Sequence, residues 1–242
     1  MSAAAQQLLE NLNALAAGLF LLTAFGIVAM RQARACLNLF ILQSLLLAAS
    51  AVLLGVRYDS GHLYGVALVN LVSKPLIVPW LLRKTSPAEI YTRREIEQVL
   101  DIPIALLIAL ALVIAAYFVG IPLANAVGPG FRGPNVPIGI AVLLLGAFTL
   151  TVRREALSLL IGLLVMENGA FLAGIAIARD LGMLVELAIA TDGLVIVFIM
   201  GVLVRAVQQQ IGTTAIGALA SLKETAAQAA AARPSPADRA SS

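Results

Sequence analysis

Charge is the first thing this sequence lacks. Only 12% of its 242 residues are charged, whereas a soluble domain carries about 25%. With 61% hydrophobic residues, the chain is predicted to live in a bilayer. Cysteine occurs once, at Cys36, which excludes a disulfide within the chain and any CxxC-type metal or iron–sulfur site. Histidine also occurs once, at His62, so there is no histidine cluster for zinc, haem pairs or a di-iron centre. The net charge of +3 does not point to nucleic acid, because the basic residues sit in short loops and follow a topological pattern. Residues 1–13 have no basic residue and include Glu10, which argues against a cleaved signal peptide.

What is present is a series of long apolar runs. Seven windows can be drawn, at about 9–30, 36–56, 62–83, 101–121, 136–152, 155–178 and 182–205, each near the 20 or so residues that span a bilayer. The breakers Gly128, Pro129, Gly130, Gly133 and Pro134 make the stretch before the fifth window a loop. Asp101 followed by Pro103 reads as the start of the fourth helix. The fold class expected is an all-α polytopic membrane protein of about seven transmembrane helices.

Its orientation follows from lysine and arginine. One set of loops, with the C-terminus, holds twelve of them between Arg31 and Arg239; the other holds three, Arg57, Arg132 and Arg179. The positive-inside rule then places the C-terminus in the cytoplasm and the N-terminus outside. Three parts are expected: four membrane helices in residues 1–121, three more in 136–207, and a partly disordered cytoplasmic tail, 208–242, rich in Ala, Pro and Ser.

Against this apolar background a few ionisable residues stand out: Lys74 in the third window, Glu167 in the sixth, and Glu186 and Asp192 in the seventh. At 1.5 Å per residue, Lys74 and Glu167 lie about 18 Å into their helices and Asp192 about 15 Å, all near the midplane, while Glu186 lies only about 6 Å from the outer end. A charge at mid-bilayer costs at least about 2.5–3.5 kcal/mol, so these positions are candidates for an ion or proton relay. Two acids against one base leave one carboxyl unmatched, and such a group holds a proton exchangeably. Pro75 and Pro79 remove helix hydrogen bonds beside Lys74 and invite water or polar groups. Gln43, Ser44, Asn70, Ser73, Asn168 and Thr191 continue the polar line. The plainer alternative is a static ion pair that fixes helix packing, with the polar residues as interhelical glue. Gly162, Gly169 and Gly174 suggest close helix approach near Glu167, and His62 reads as an interfacial residue.

The stretches VMENGAFL around Glu167 and LVELAIATDGLVIVFIMGVLVRAV around Glu186 and Asp192 resemble hydrogenase-4 component E, a membrane subunit of group 4 nickel–iron hydrogenases and formate hydrogenlyase-type complexes. FILQSLLL and LVSKPLIVPWLLRK extend the resemblance toward the N-terminus. Helices five to seven further resemble the K subunit of bacterial complex I and the C subunit of Mrp-type cation antiporters. Glu167 falls where that wider family keeps its second-helix glutamate. No glutamate falls at the depth of the third-helix one, so Asp192 or Glu186 would have to substitute.

The resemblance implies a subunit without catalytic residues of its own. It would link antiporter-like subunits to a peripheral redox arm and lend Glu167, Asp192, Lys74 and Glu186 to proton or sodium translocation. The nickel–iron centre and iron–sulfur clusters would belong to partner subunits, with no cofactor in this chain. The expected location is a bacterial or archaeal cytoplasmic membrane. Alternatives are a purely structural linker with static pairs, or a subunit of a Mrp-type antiporter. A retinal receptor would need its lysine late in the bundle in an aromatic pocket, whereas Lys74 is in the third window and aromatics are 5%. A free-standing transporter is disfavoured by the absence of a convincing inverted repeat.

Overall fold

The computed structural model describes residues 2–59, 61–77, 79–80, 100–127, 134–153 and 156–177, with Gly193 and Gly201. All belong to the first of two compact units, Met1–Gly201; the second is Val202–Ser242. Among the described residues the elements are helical: α1 (Ala3–Ala29), α2 (Ala33–Tyr58), α3 (Gly61–Val72) running into a π-helical turn (Ser73–Ile77), α4 (Ile102–Val127), α5 (Asn135–Val152) and α6 (Ala156–Ile177).

Local chemistry explains where they begin and end. Ser2 caps α1, its Oγ accepting from the Ala5 N–H at 3.3 Å, which satisfies one of the free N–H groups of the first turn. Asp59 closes α2 in the left-handed region (φ 51°, ψ 45°), its N–H bonded to the Gly55 carbonyl. The Asp101 carbonyl accepts from Ala105 N at 2.9 Å as α4 starts, with Pro103 in the first turn, where a proline removes no needed donor. α3 does not run on as one regular span. It loosens into the π turn at the Ser73-Lys74-Pro75 stretch, where Pro75 cannot donate a helix hydrogen bond.

Among the described residues five helices are long and apolar enough to cross a membrane: α1, α2, α4, α5 and α6. The apolar helix around Leu63–Leu76 is shorter. The seventh window lies outside the described residues apart from Gly193 and Gly201, and so does most of loop 83–100.

The helices pack unequally. α5 and α6 are the most intimate pair, α1 lies on α2, α4 on α5, and α2 touches both α3 and α6. In α6, 67% of the apolar window is buried, against 22% in α4, so α4 lies at the rim and α6 inside. Leu107, Ile114, Phe118 and Val119 of α4 are exposed, a surface suited to hydrocarbon and not to water.

Glycine sets the α5–α6 contact. A Cβ on Gly139 would meet Ala173 N at 2.5 Å, and one on Gly169 would meet Gly139 O at 2.7 Å and the Leu143 amide closer still. A Cβ on Gly146 would strike the Met166 backbone. The two backbones approach so closely because neither carries a side chain there, the usual device of membrane helix pairs. Gly162 takes part through Thr149 and Leu150, but a Cβ on Gly174, which the sequence suggested as a contact, would meet nothing within 4 Å among the described residues.

Candidate functional site

The midpoint of α6 presents Glu167 and Asn168 as consecutive residues, and the π turn presents Lys74 to both. Lys74 Nζ lies 3.1 Å from Glu167 Oε1, with the two side chains only 4% and 18% exposed. Nζ also donates to Asn168 Oδ1 at 2.8 Å and sits 5.5 Å from the centre of the Phe171 ring, within cation–π range. The π turn serves this arrangement, since an irregular turn re-aims a side chain that a regular helix would hold elsewhere.

Asn168 carries the line onward. Its Nδ2 donates to Gln43 Oε1 at 3.3 Å and to Ser44 Oγ at 3.2 Å. Ser44 Oγ donates to the Phe40 carbonyl at 3.0 Å. Lysine can only donate, so the Asn168 carbonyl oxygen must face it, and its amide nitrogen must then face α2. The same logic fixes Gln43 with its oxygen toward Asn168. Gln43 Nε2 is then a buried donor without a hydrogen-bond partner among the described residues. The contact between Glu167 and Lys74 is ionic, and Glu167 Oε1 accepts no hydrogen bond among those residues. Gln43, Ser44, Asn168 and Lys74 are all buried. A continuous polar line thus runs from Glu167 on α6 to Lys74 in the π turn, returns to Asn168 on α6 and ends on Gln43 and Ser44 of α2, in the interior of an apolar bundle.

Of the four sequence-predicted relay residues, Lys74 and Glu167 are brought together. Asp192 and Glu186 lie outside the described residues. Gly193, next to Asp192 in the chain, is described and buried, and it abuts the Glu167 carboxyl: a Cβ placed on it would lie 2.6 Å from Oε1. The side chain of His62 is outside the description. Among the described residues no group of three or more His, Cys, Asp or Glu could hold a metal ion.

Two further polar clusters went unread in the sequence. At one end of α5, Asn135 and Asn13 exchange amide hydrogen bonds of 3.0 and 3.2 Å. Ser50 joins them, donating to Asn13 Oδ1 at 2.7 Å and accepting from Asn135 Nδ2 at 3.1 Å. At the other end, Arg153 is buried, its Nη2 donating to the carbonyls of Ile27 and of Met30 (2.7 Å), and its Nη1 reaching Cys36 Sγ at 3.5 Å. It thereby caps the C-terminal carbonyls of α1, where a cation also meets the negative end of the helix dipole. Asn13, set against the apolar run that follows it in α1, was the available signal for the first cluster. Arg153 gave none, since beside Arg154 it looks like an ordinary loop charge.

Comparison with known proteins adds the following. The uncharacterized protein Rv0085 of Mycobacterium tuberculosis is 31% identical over 209 residues, which cover 86% of this chain and 94% of that protein. Hydrogenase-4 component E of Escherichia coli K12 is 28% identical over 216 residues, covering 86% and 95%, and that of Shigella flexneri matches equally. No family model matches, and no solved structure does. Bilayer-length helices and these similarities together make the chain a multi-pass membrane protein.

Proposed function

Because the chain belongs to the family that contains Rv0085 and hydrogenase-4 component E, we propose that it is a non-catalytic membrane subunit of a group 4 nickel–iron hydrogenase assembly related to complex I. In this reading it links antiporter-like subunits to the redox arm, and its buried charges take part in moving protons or sodium ions. Its nickel–iron and iron–sulfur chemistry resides in partner subunits. Seven spans are proposed, with the N-terminus outside and the C-terminus in the cytoplasm of a bacterium or archaeon, because lysine and arginine divide twelve to three. The parts proposed are 1–121, 136–207 and the tail 208–242, with Asp192 or Glu186 continuing the relay.

The observation that carries the relay is the Lys74–Glu167 pair, 3.1 Å apart, with Lys74 buried and Glu167 only 18% exposed. An ammonium beside a carboxylate in a low-dielectric interior is the arrangement in which one proton can be held by either group. Asn168 and Gln43 are amides and neither gain nor lose a proton at ordinary pH, so they orient the pair and leave the transfer to Lys74 and Glu167.

One observation favours the alternative of a static linker. The Lys74 ammonium is already engaged in three directions, by Glu167, Asn168 and Phe171. Glu167→Gln separates the two readings, since it keeps side-chain volume while removing the charge. In the relay reading the complex assembles and its coupled ion movement falls. Loss of assembly, with normal ion movement per complex that remains, refutes the relay and leaves the static linker.

A further inference from the structure

We propose that Gly193 is a positioning residue for the Glu167 carboxylate, its missing side chain creating the space in which that carboxylate meets Lys74. The functional consequence rests on the relay reading above; the geometry does not. A Cβ on Gly193 would lie 2.6 Å from Glu167 Oε1, 2.8 Å from Oε2 and 3.0 Å from Cδ. All three of these atoms belong to one carboxyl group.

Gly139, Gly146 and Gly169 differ, because the atoms a Cβ would meet there include backbone of the neighbouring helix. Backbone in a packed helix pair cannot withdraw, so those glycines are about packing. A carboxyl at the end of a flexible side chain can withdraw, so a methyl at 193 displaces the carboxyl and spares the fold. To clear even 3.0 Å, Oε1 has to retreat by at least the difference from 2.6 Å. Oε1 is also the atom 3.1 Å from Lys74 Nζ. The displacement is therefore delivered to the ion pair, where a low dielectric makes each change in separation count for more than it would in water. Gly193 acts through Glu167 and touches no transported ion.

The test is a double-mutant cycle on the full chain in detergent, read by thermal unfolding, with Gly193→Ala and Lys74→Met made singly and together. If residue 193 sets the pair, Gly193→Ala has already perturbed it, and Lys74→Met then lowers Tm by less than it does in the native background. Equal Tm losses in both backgrounds overturn the proposal. Should Lys74→Met give no folded protein, infrared difference spectra of Gly193→Ala decide instead, with Glu167→Gln identifying the carboxyl band. A shifted band supports the assignment and an unmoved band refutes it. Gly174→Ala, where a Cβ meets nothing within 4 Å among the described residues, is the neutral control.

Coupled ion movement of the assembled complex is measured alongside. A non-additive cycle with unaltered ion movement defeats the relay reading and leaves the positioning role standing. An additive cycle defeats the positioning role whatever the transport does.

Discussion

Replacing Asn168 with leucine tests whether the polar line holds Lys74 in place. The substitution keeps the approximate volume of a fully buried side chain and removes three hydrogen bonds at once: from Lys74 at 2.8 Å, and to Gln43 and Ser44 at 3.3 and 3.2 Å. Interhelical hydrogen bonds in membrane proteins average about 0.6 kcal/mol, with the strongest near 1.7. Two neutral bonds at the average and one to an ammonium at the upper end give a loss of about 3 kcal/mol. The assay is equilibrium unfolding of the full chain in mixed micelles. A second measurement separates the contributions: with Lys74→Met already present, Asn168→Leu should lose only the two neutral bonds, about 1.2 kcal/mol. A total loss below about 0.5 kcal/mol would refute the reasoning, because the ammonium would then be held without Asn168.

The other predictions concern packing and the end clamps. Gly169→Ala drives a methyl into the Leu143 amide and Gly139 carbonyl and should destabilise the α5–α6 pair by about 1–3 kcal/mol, measured by thermal unfolding. A neutral result would mean that the helices are not in contact there. Arg153→Met should cost about 1–3 kcal/mol, because the buried Ile27 carbonyl and the part-buried Met30 carbonyl lose their donor. Arg153→Lys should recover only part of that, since one ammonium lacks the planar fork that reaches two carbonyls and a thiol together. Full recovery by lysine would show that charge alone matters at that site.

The sequence showed the helices well where apolar length was the signal, and it showed that mid-membrane charges need partners. Lys74 and Asn168, which meet through a 2.8 Å hydrogen bond, are 94 residues apart in the chain, yet burial cost alone pointed to Lys74 and to Glu167 beside Asn168. Uncharged polar residues are less legible. Asn13, Ser50 and Asn135 are individually common in membrane helices, and only the fold reveals that they meet. Arg153 was hidden by the positive-inside pattern, which counts an arginine at a helix end as a solvent-facing charge whether or not it folds back. Gly174 shows the limit of a small-residue motif. Spacing cannot tell which face of α6 lies against α5, so a glycine off that face looks the same as Gly169. The π turn was half visible, since Pro75 announced an interruption but not the re-aiming of Lys74.

α5 is held to the α1–α2 hairpin by polar clusters at both ends, Asn135 at its first residue and Arg153 just past its last. Its 18 residues separate the two by about 27 Å, close to the hydrocarbon thickness of a bilayer. A helix fastened at one end can slide along its neighbours when the surrounding membrane thins or thickens. One fastened at both ends cannot. The protein therefore carries a fixed gauge of length, and hydrophobic mismatch has to be absorbed by tilt of the whole bundle or by deformation of the lipid. The depth of Glu167 and Lys74 relative to α5 would stay constant across membranes of different thickness.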